Sequence, residues 1–190
     1  MQNRTLSLTV ISLFASLTSI GAFIKIPLPV IPFTLQILFV FLAGCLLGSK
    51  KGMMSQLLYV GIGLIGIPVF ASGGGPEYVL KPTFGYLIGF IIAAFVIGSI
   101  VEKTRKPKLK NFILANVIGL LIVYILGITY VYISLNTWLG SPVSLKEVLM
   151  MGLVYSIGQD LLLAVFGGVL AVRLHSHFAK ARENEKKVAA

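Results

Sequence analysis

Charged residues are scarce in this sequence, and their scarcity excludes an ordinary water-soluble domain. Asp, Glu, Lys and Arg make up 12% of the 190 residues, whereas 57% are hydrophobic, and the mean hydropathy is +0.96. A soluble domain carries roughly 25% charged residues because its surface must face water. Since the apolar residues also form long runs, the composition predicts an all-α integral membrane protein with one domain over residues 1–190.

Cysteine and catalytic motifs are scarce as well. Cys45 is the one cysteine, so it forms neither an internal disulfide nor, by itself, a metal site. The sequence contains no phosphate-binding loop, zinc-protease motif or nucleophile elbow. His175 and His177 lie at one end of the last apolar run, where we interpret them as interface residues. We therefore expect no enzyme activity, no cofactor and no metal.

The charge that is present is mostly positive, with 16 Lys and Arg against 6 Asp and Glu. In a soluble protein this excess would raise the question of nucleic acid binding. In a membrane protein, basic residues collect in cytoplasmic loops and set the topology. We therefore expect no nucleic acid partner, and we interpret residues 175–190 as a basic cytoplasmic tail.

Six apolar segments are candidates for membrane-spanning helices, since about 20 apolar residues cross a bilayer. The first follows Arg4 without a small-residue cleavage site, so we interpret it as a helix and not as a signal peptide. The six predicted spans are Leu6–Ile24, Phe33–Ser49, Gly52–Phe70, Phe84–Val101, Phe112–Ile133 and Val148–Leu174.

The segments between these spans alternate between basic and nearly neutral, which predicts the orientation. With both termini in the cytoplasm, 13 basic residues lie inside and 3 lie outside, in agreement with the positive-inside rule. The three outside are Lys25, Lys81 and Lys146. We therefore predict a multi-pass protein of a cell membrane with both termini inside.

Ionisable groups inside a span are costly, so each one suggests a function. Asp160 is the one acid well inside a predicted helix, and we expect it to accept hydrogen bonds from N–H groups of a ligand. Interhelical hydrogen bonding is the alternative for this residue and for the weaker ligand-binding candidates in or beside the spans. These candidates are Gln36, Thr34, Gln56, Tyr86, Tyr155 and Gln159.

Two further features lie towards the predicted outer side. The loop from Ala71 to Thr83 contains three consecutive glycines, whose backbone can approach a ligand closely, and Lys81 could pair with a carboxylate there. A plain surface loop with a solvated lysine is the alternative. The aromatic residues Tyr130, Tyr132 and Trp138 are typical of anchors at the headgroup level.

Small residues recur at a spacing of four in the first span, at Ala15 and Ser19. Such faces allow helices to pack closely in lipid. The pattern fits packing within the bundle and docking on a partner equally well.

The same segments resemble a known family. The proline-rich run Gly21–Gln36, the run Leu64–Gly75 and the Gly-Tyr-Leu-x-Gly-Phe run of residues 85–90 are similar to signatures of BioY proteins. Gly158-Gln159-Asp160 is similar to the acidic motif of their last helix. BioY proteins are the biotin-specific substrate-binding (S) components of energy-coupling-factor (ECF) importers.

The resemblance implies a mechanism for the chain. An S component captures biotin outside in a cavity near the outer leaflet, then associates with a transmembrane coupling protein and two ATPase subunits. Ala15 and Ser19 resemble the face that docks on the coupling protein. The sequence departs from the family at Lys81, where glycine is frequent, and at Leu163, where lysine is frequent. This exchange suggests that Lys81 supplies the cation for the carboxylate of biotin.

Three alternatives stay open at this point. A stand-alone secondary transporter or channel would use Asp160 as a proton relay. A membrane-embedded enzyme would need a catalytic constellation that the sequence does not offer. An S component for another vitamin would share the six helices and differ in the pocket.

Overall fold

A computed structural model describes residues 2–26, 31, 33–154 and 156–189. For residues 2–3, 153–154 and 179–189 it describes the backbone alone. The elements in chain order are α1 (Gln2–Phe23), β1 (Lys25–Ile26), β2 (Phe33–Thr34), α2 (Gln36–Leu42) with a π-helical segment (Ala43–Leu47), α3 (Ser49–Leu64), a 3-10 segment (Pro76–Leu80), α4 (Phe84–Lys103), α5 (Leu109–Asn136), α6 (Leu145–Leu149) with a second π-helical segment (Met150–Val154), and α7 (Ile157–Ala189). The protein is therefore mostly helical, as the composition predicts.

Four of these helices are long and apolar enough to cross a bilayer, within the part of the chain that is described. They are Arg4–Phe23, Phe84–Lys103, Leu109–Asn136 and Ile157–Phe178. The remaining two predicted spans are shorter than expected. The second is an apolar helix over Gln36–Leu47, and the third is the 16-residue α3. At 1.5 Å per residue each of these is shorter than the roughly 30 Å hydrocarbon core.

The predicted third span, Gly52–Phe70, is wrong at its carboxyl end. Helix α3 ends at Leu64, and Gly66 follows with a φ of 111°. A positive φ stops a right-handed helix, and glycine reaches it without steric cost. Pro68 then prevents the helix from resuming. Because apolar residues continue to Phe70, hydrophobicity alone overestimates the length of the helix.

The predicted sixth span, Val148–Leu174, also differs from the structure. Its first part is not regular α-helix, because residues 150–154 form the second π-helical segment and α7 begins only at Ile157. The break places Asp160 in the first turn of α7. Irregular backbone at membrane depth is tolerated where it is buried in protein or lines a cavity, and Gly152 of this segment does line a pocket.

Glycines on α4 allow this helix to pack closely against its neighbours in the bundle. Gly85 and Gly89 of α4 face α5, and a Cβ at Gly89 would lie 2.9 Å from Cα of Val123. Gly98 of α4 lies against the backbone that joins the first π-helical segment to α3. Without a hydrophobic drive between helices in lipid, such contacts carry much of the association.

A buried polar contact joins three elements in the bundle interior. The Cys45 thiol donates to Oδ1 of Asn116 at 3.2 Å, and Nδ2 of Asn116 donates to the Ala164 carbonyl at 2.9 Å. The contact thus connects the first π-helical segment, α5 and α7. Asn116 is fully buried, so each of its polar atoms needs such a partner.

Candidate functional site

One pocket lies at the broken end of α7, where α4, α5, β2 and α2 meet it. Its empty space is about 640 Å³, including the part that opens to solvent. Its walls are mainly aromatic and aliphatic, with a few polar groups between them. The lining residues are Ile31, Phe33, Thr34, Gln36, Ile37, Ala71, Tyr78, Thr83, Tyr86, Leu87, Phe90, Val123, Tyr124, Gly152, Ser156 and Asp160.

Asp160 is the charged residue among these lining residues, and it accepts a hydrogen bond from a residue of α5. The Tyr124 hydroxyl donates to Oδ2 of Asp160 at 2.5 Å, and Asp160 is 9% exposed. No ion pair reaches this carboxylate from the described residues. Among the described side chains, Tyr124 is the one hydrogen-bond donor to this carboxylate, and it leaves further capacity because two carboxylate oxygens accept about four hydrogen bonds. The pocket therefore presents an acceptor to a ligand with N–H or O–H groups.

Tyr86 presents the complementary kind of group. Its hydroxyl is buried and has no hydrogen-bond partner among the described residues, and the side chain lines the pocket. Small residues make room for it, since a Cβ at Gly152 would lie 2.9 Å from the hydroxyl and one at Gly127 would overlap the ring. An unmade buried hydrogen bond costs about 1–3 kcal/mol. The arrangement therefore favours a ligand that satisfies this hydroxyl.

Gln36 is fixed by two neighbours in the pocket wall. Its Oε1 accepts from the Thr34 hydroxyl at 2.9 Å, and its Nε2 donates to the Tyr59 hydroxyl at 2.5 Å. Tyr59 is fully buried and in turn donates to the Val69 carbonyl. The amide is therefore oriented before any ligand binds, which lowers the entropic cost of using it.

The glycine-rich segment that follows α3 is folded against this wall. Phe70 packs between Tyr59 and Tyr78, with ring centroids 5.4 Å and 4.4 Å away. Its ring occupies the space where a side chain at Gly63 would lie. Gly73 and Gly75 have φ values of 108° and 110°, so the glycines here permit a tight turn. Ala71 is the member of this turn that lines the pocket.

Two of the aromatic residues predicted as membrane anchors form hydrogen bonds to the 3-10 segment that follows. The Tyr130 hydroxyl donates to the Val79 carbonyl, and Nε1 of Trp138 donates to the Leu80 carbonyl at 2.8 Å. Tyr132 is partly exposed at 39%. Two of the three residues predicted as membrane anchors thus also bind the loop over the pocket.

The structure brings Asp160, Tyr86, Gln36 and Thr34 into the lining of one pocket, as a common ligand site requires. Tyr155 lies outside the described residues. The other ligand-binding candidates, Gln56, Gln159 and Lys81, are not among the lining residues.

These three candidates have other surroundings. Gln56 is fully buried, and its Nε2 donates to the hydroxyls of Thr18 and Ser55 at 3.3 Å and 3.1 Å, so it joins α1 to α3. Gln159 is half-buried on α7. Lys81 donates from Nζ to the Ser72 carbonyl at 2.7 Å and lies 4.8 Å from the centroid of the Tyr78 ring.

The docking candidates on α1 face largely inwards. Ala15 is 3% exposed and packs in the bundle core, and the half-buried Ser19 donates to the Ala15 carbonyl at 3.0 Å. In this conformation the bundle covers Ala15. The small-residue pattern was interpreted either as helix packing within the bundle or as docking on a partner, and the observed contacts match helix packing.

Sequence reasoning missed several pocket residues, and Tyr124 is the most consequential. It lies in the middle of an apolar span, and a hydroxyl at that depth is a signal that could have singled it out. Tyr78 also lines the pocket, but a single tyrosine in a loop gives no local signal of ligand contact. Tyr59, which holds Gln36, lies in an apolar stretch where an aromatic residue is more often a packing residue.

Comparison with known proteins shows the family. The BioY family matches residues 1–180. The probable biotin transporter BioY of Lysinibacillus sphaericus is 56% identical over 181 residues, covering 95% of this chain and 92% of the relative. The chain belongs to the BioY family. The biotin transporter BioY of Thermotoga maritima is 39% identical, covering 85% of this chain and 91% of the relative.

A solved structure has a similar arrangement of helices. The crystal structure of the S-component for biotin from an ECF-type ABC transporter superimposes with a TM-score of 0.80 at 26% identity. The match covers 92% of this chain and 93% of that one. The chain is therefore similar in fold to an S-component for biotin along nearly its whole length.

Proposed function

We propose that this chain is the biotin-binding S component of an ECF-type importer in a bacterial cell membrane. The observation that carries the proposal is the buried carboxylate of Asp160 in a pocket with aromatic and aliphatic walls. Biotin combines a ureido group that donates two N–H bonds with an apolar sulfur ring and chain. The names of the BioY relatives and of the matching S component support the same ligand.

The polar groups of the pocket suggest how the ureido ring is held. Asp160 accepts from the ureido N–H groups, and the Tyr86 hydroxyl, which has no partner among the described residues, donates to the ureido carbonyl. Gln36 and Thr34 contribute a fixed polar edge. Phe90, Val123 and Leu87 offer apolar surface to the sulfur ring. Lys81 supplies a cation for the carboxylate at the far end of the ligand.

We infer that the chain crosses the membrane six times with both termini inside. Four helices have sufficient length alone, and the helix Gln36–Leu47 and α3 contribute the other two crossings, each completed by its flanking segments. The pocket then lies near the outer leaflet. The chain holds biotin without chemical change, and a transmembrane coupling protein with two ATPase subunits supplies the energy.

The direct test is calorimetric titration of biotin into the purified chain in detergent. We expect saturable binding without turnover, with other vitamins such as thiamine and riboflavin as negative controls. Binding of one of those vitamins in place of biotin would redirect the proposal to another S-component ligand. Failure of the folded protein to bind any of them would reject it.

Labelling of single cysteines from outside the cell tests the orientation. With Cys45→Ser as the background, we expect a membrane-impermeant maleimide to label Ser141→Cys on intact cells and Lys106→Cys only after lysis. Both positions lie in loops, which the positive-inside rule assigns to opposite sides. The reverse pattern would place the pocket on the cytoplasmic side and contradict capture from outside.

A further inference from the structure

Two lysines that are distant in sequence donate hydrogen bonds to consecutive backbone carbonyl groups beside the pocket. Nζ of Lys25, in β1, donates to the Ala71 carbonyl, and Nζ of Lys81 donates to the Ser72 carbonyl at 2.7 Å. Ala71 itself lines the pocket. The two ammonium groups thus meet at one short stretch of the glycine-rich turn, from the two loops that border the pocket.

Both ammonium groups are bound to neutral acceptors. Neither lysine makes an ion pair with a residue that the structure describes. Glu77 is the nearest acid along the chain, and its carboxylate lies over Gly75 instead, within 2.5 Å of where a side chain there would begin. A hydrogen bond between an ammonium and a carboxylate is roughly twice as strong as one between neutral groups. An anionic ligand group would therefore compete well for these lysines.

The pocket interior offers such a group no cation. The lining residues include the acid Asp160 and no Lys or Arg. Like charges repel strongly where the dielectric is low, so an anionic end of a ligand avoids Asp160 and turns to the part of the wall formed by Ala71. The two lysines supply positive charge there.

We propose that Lys25 and Lys81 form a carboxylate-selecting pair, which admits the free acid of the ligand in preference to its neutral derivatives. In the empty protein the pair holds the turn through the two carbonyls. When the ligand binds, its carboxylate receives hydrogen bonds from the same ammonium groups. This inference rests on the proposed function and adds Lys25, which sequence reasoning assigned only to the outer side, to the residues that determine specificity.

The test compares biotin with biotinamide, in which a neutral amide replaces the carboxylate. Calorimetry gives both affinities for the wild type, for the double variant Lys25→Met, Lys81→Met, and for the double variant Lys25→Arg, Lys81→Arg. Methionine keeps most of the aliphatic stem, and arginine keeps the charge. The matched control is Lys146→Met, an exposed lysine on the same predicted side that lies outside the pocket lining.

We expect the wild type, the Lys146→Met control and the arginine double variant to prefer biotin over biotinamide. The methionine double variant should lose about tenfold in affinity for biotin and much less for biotinamide, as the loss of a charge-assisted hydrogen bond requires. Thermal melting of each variant in detergent shows that it is folded. The single methionine variants serve if the double variant does not fold.

Two results would overturn the inference while leaving the proposed function intact. Equal losses for both ligands would mean that the lysines only shape the turn, and an unchanged preference would mean that they do not sense the carboxylate. If the wild type binds neither ligand, the proposed function itself fails and the inference fails with it.

Discussion

Replacing Asp160 with Asn should weaken biotin binding by about 10- to 100-fold while leaving the empty protein as stable as before or more stable. Asn still accepts a hydrogen bond from Tyr124, but it turns an N–H group towards a ligand that itself donates. The loss corresponds to one hydrogen bond to a charged group, about 1.5–3 kcal/mol. Removing a buried carboxylate also removes its desolvation cost. Calorimetry measures the affinity, and thermal melting without ligand measures the stability.

Tyr124→Phe should have the opposite pair of effects, which makes it a sharp comparison. Without the phenol, the buried carboxylate of Asp160 loses its hydrogen bond at 2.5 Å, so the empty protein should melt at a lower temperature. Biotin then satisfies Asp160 without competition, and its affinity should be retained. Glu147→Gln is the control for loss of an acid, because Glu147 is exposed and lies outside the pocket lining.

An unchanged biotin affinity in the Asp160→Asn variant would show that Asp160 is not part of the binding site.

Gly98→Ala should be the most disruptive small substitution in the bundle. A Cβ at this position would lie 2.3 Å from the Ser49 nitrogen and 2.4 Å from the Gly48 carbonyl carbon. These are backbone atoms, so no side-chain rotation relieves the overlap. The helices must separate, and overpacking of this kind costs about 1–3 kcal/mol or more. We expect a lower melting temperature and a lower yield of monodisperse protein.

Gly61→Ala is the matched control for this substitution. Gly61 is exposed on α3, and no atom lies within 4 Å of the position of its Cβ. Alanine is favoured over glycine inside a helix by up to about 1 kcal/mol, so this variant should melt at or above the wild-type temperature. Equal melting of Gly98→Ala and the wild type would show that α4 and the start of α3 do not pack as closely as described.

The helices with unbroken apolar runs could be predicted from the sequence to within a few residues. The prediction for α4 begins at Phe84, as the structure does, and ends two residues early. The prediction for α5 is three residues short at each end. Hydropathy succeeds there because each boundary coincides with a change from apolar to basic or polar residues. It fails at the end of α3, where a glycine conformation, and no change in hydropathy, ends the helix.

The pocket could be predicted only in part, for a related reason. A lone acid inside a predicted span is unusual because burying a charge in a membrane is costly, so Asp160 could be singled out from the sequence. Its partner Tyr124 lies 36 residues away on another helix, and nothing local in the sequence of α5 couples the two. Lys25 is 46 residues from the carbonyl that it contacts. Such pairs depend on how helices rotate against one another, and this depends on the packing of many side chains at once.

The π-helical segment Ala43–Leu47 should tolerate one kind of change in chain length. A π-helical turn accommodates one residue more than an α-helical turn. Deleting a single residue between 43 and 47 would let the stretch relax to regular α-helix and leave the start of α3 nearly in place, because the deletion removes the extra residue of the π-helical turn. Gly48, which has a φ of 83°, and the contact of Gly98 with the start of α3 would then be preserved. An inserted residue would instead rotate the start of α3 by roughly 100°, so related sequences should show single deletions at these five positions more readily than insertions.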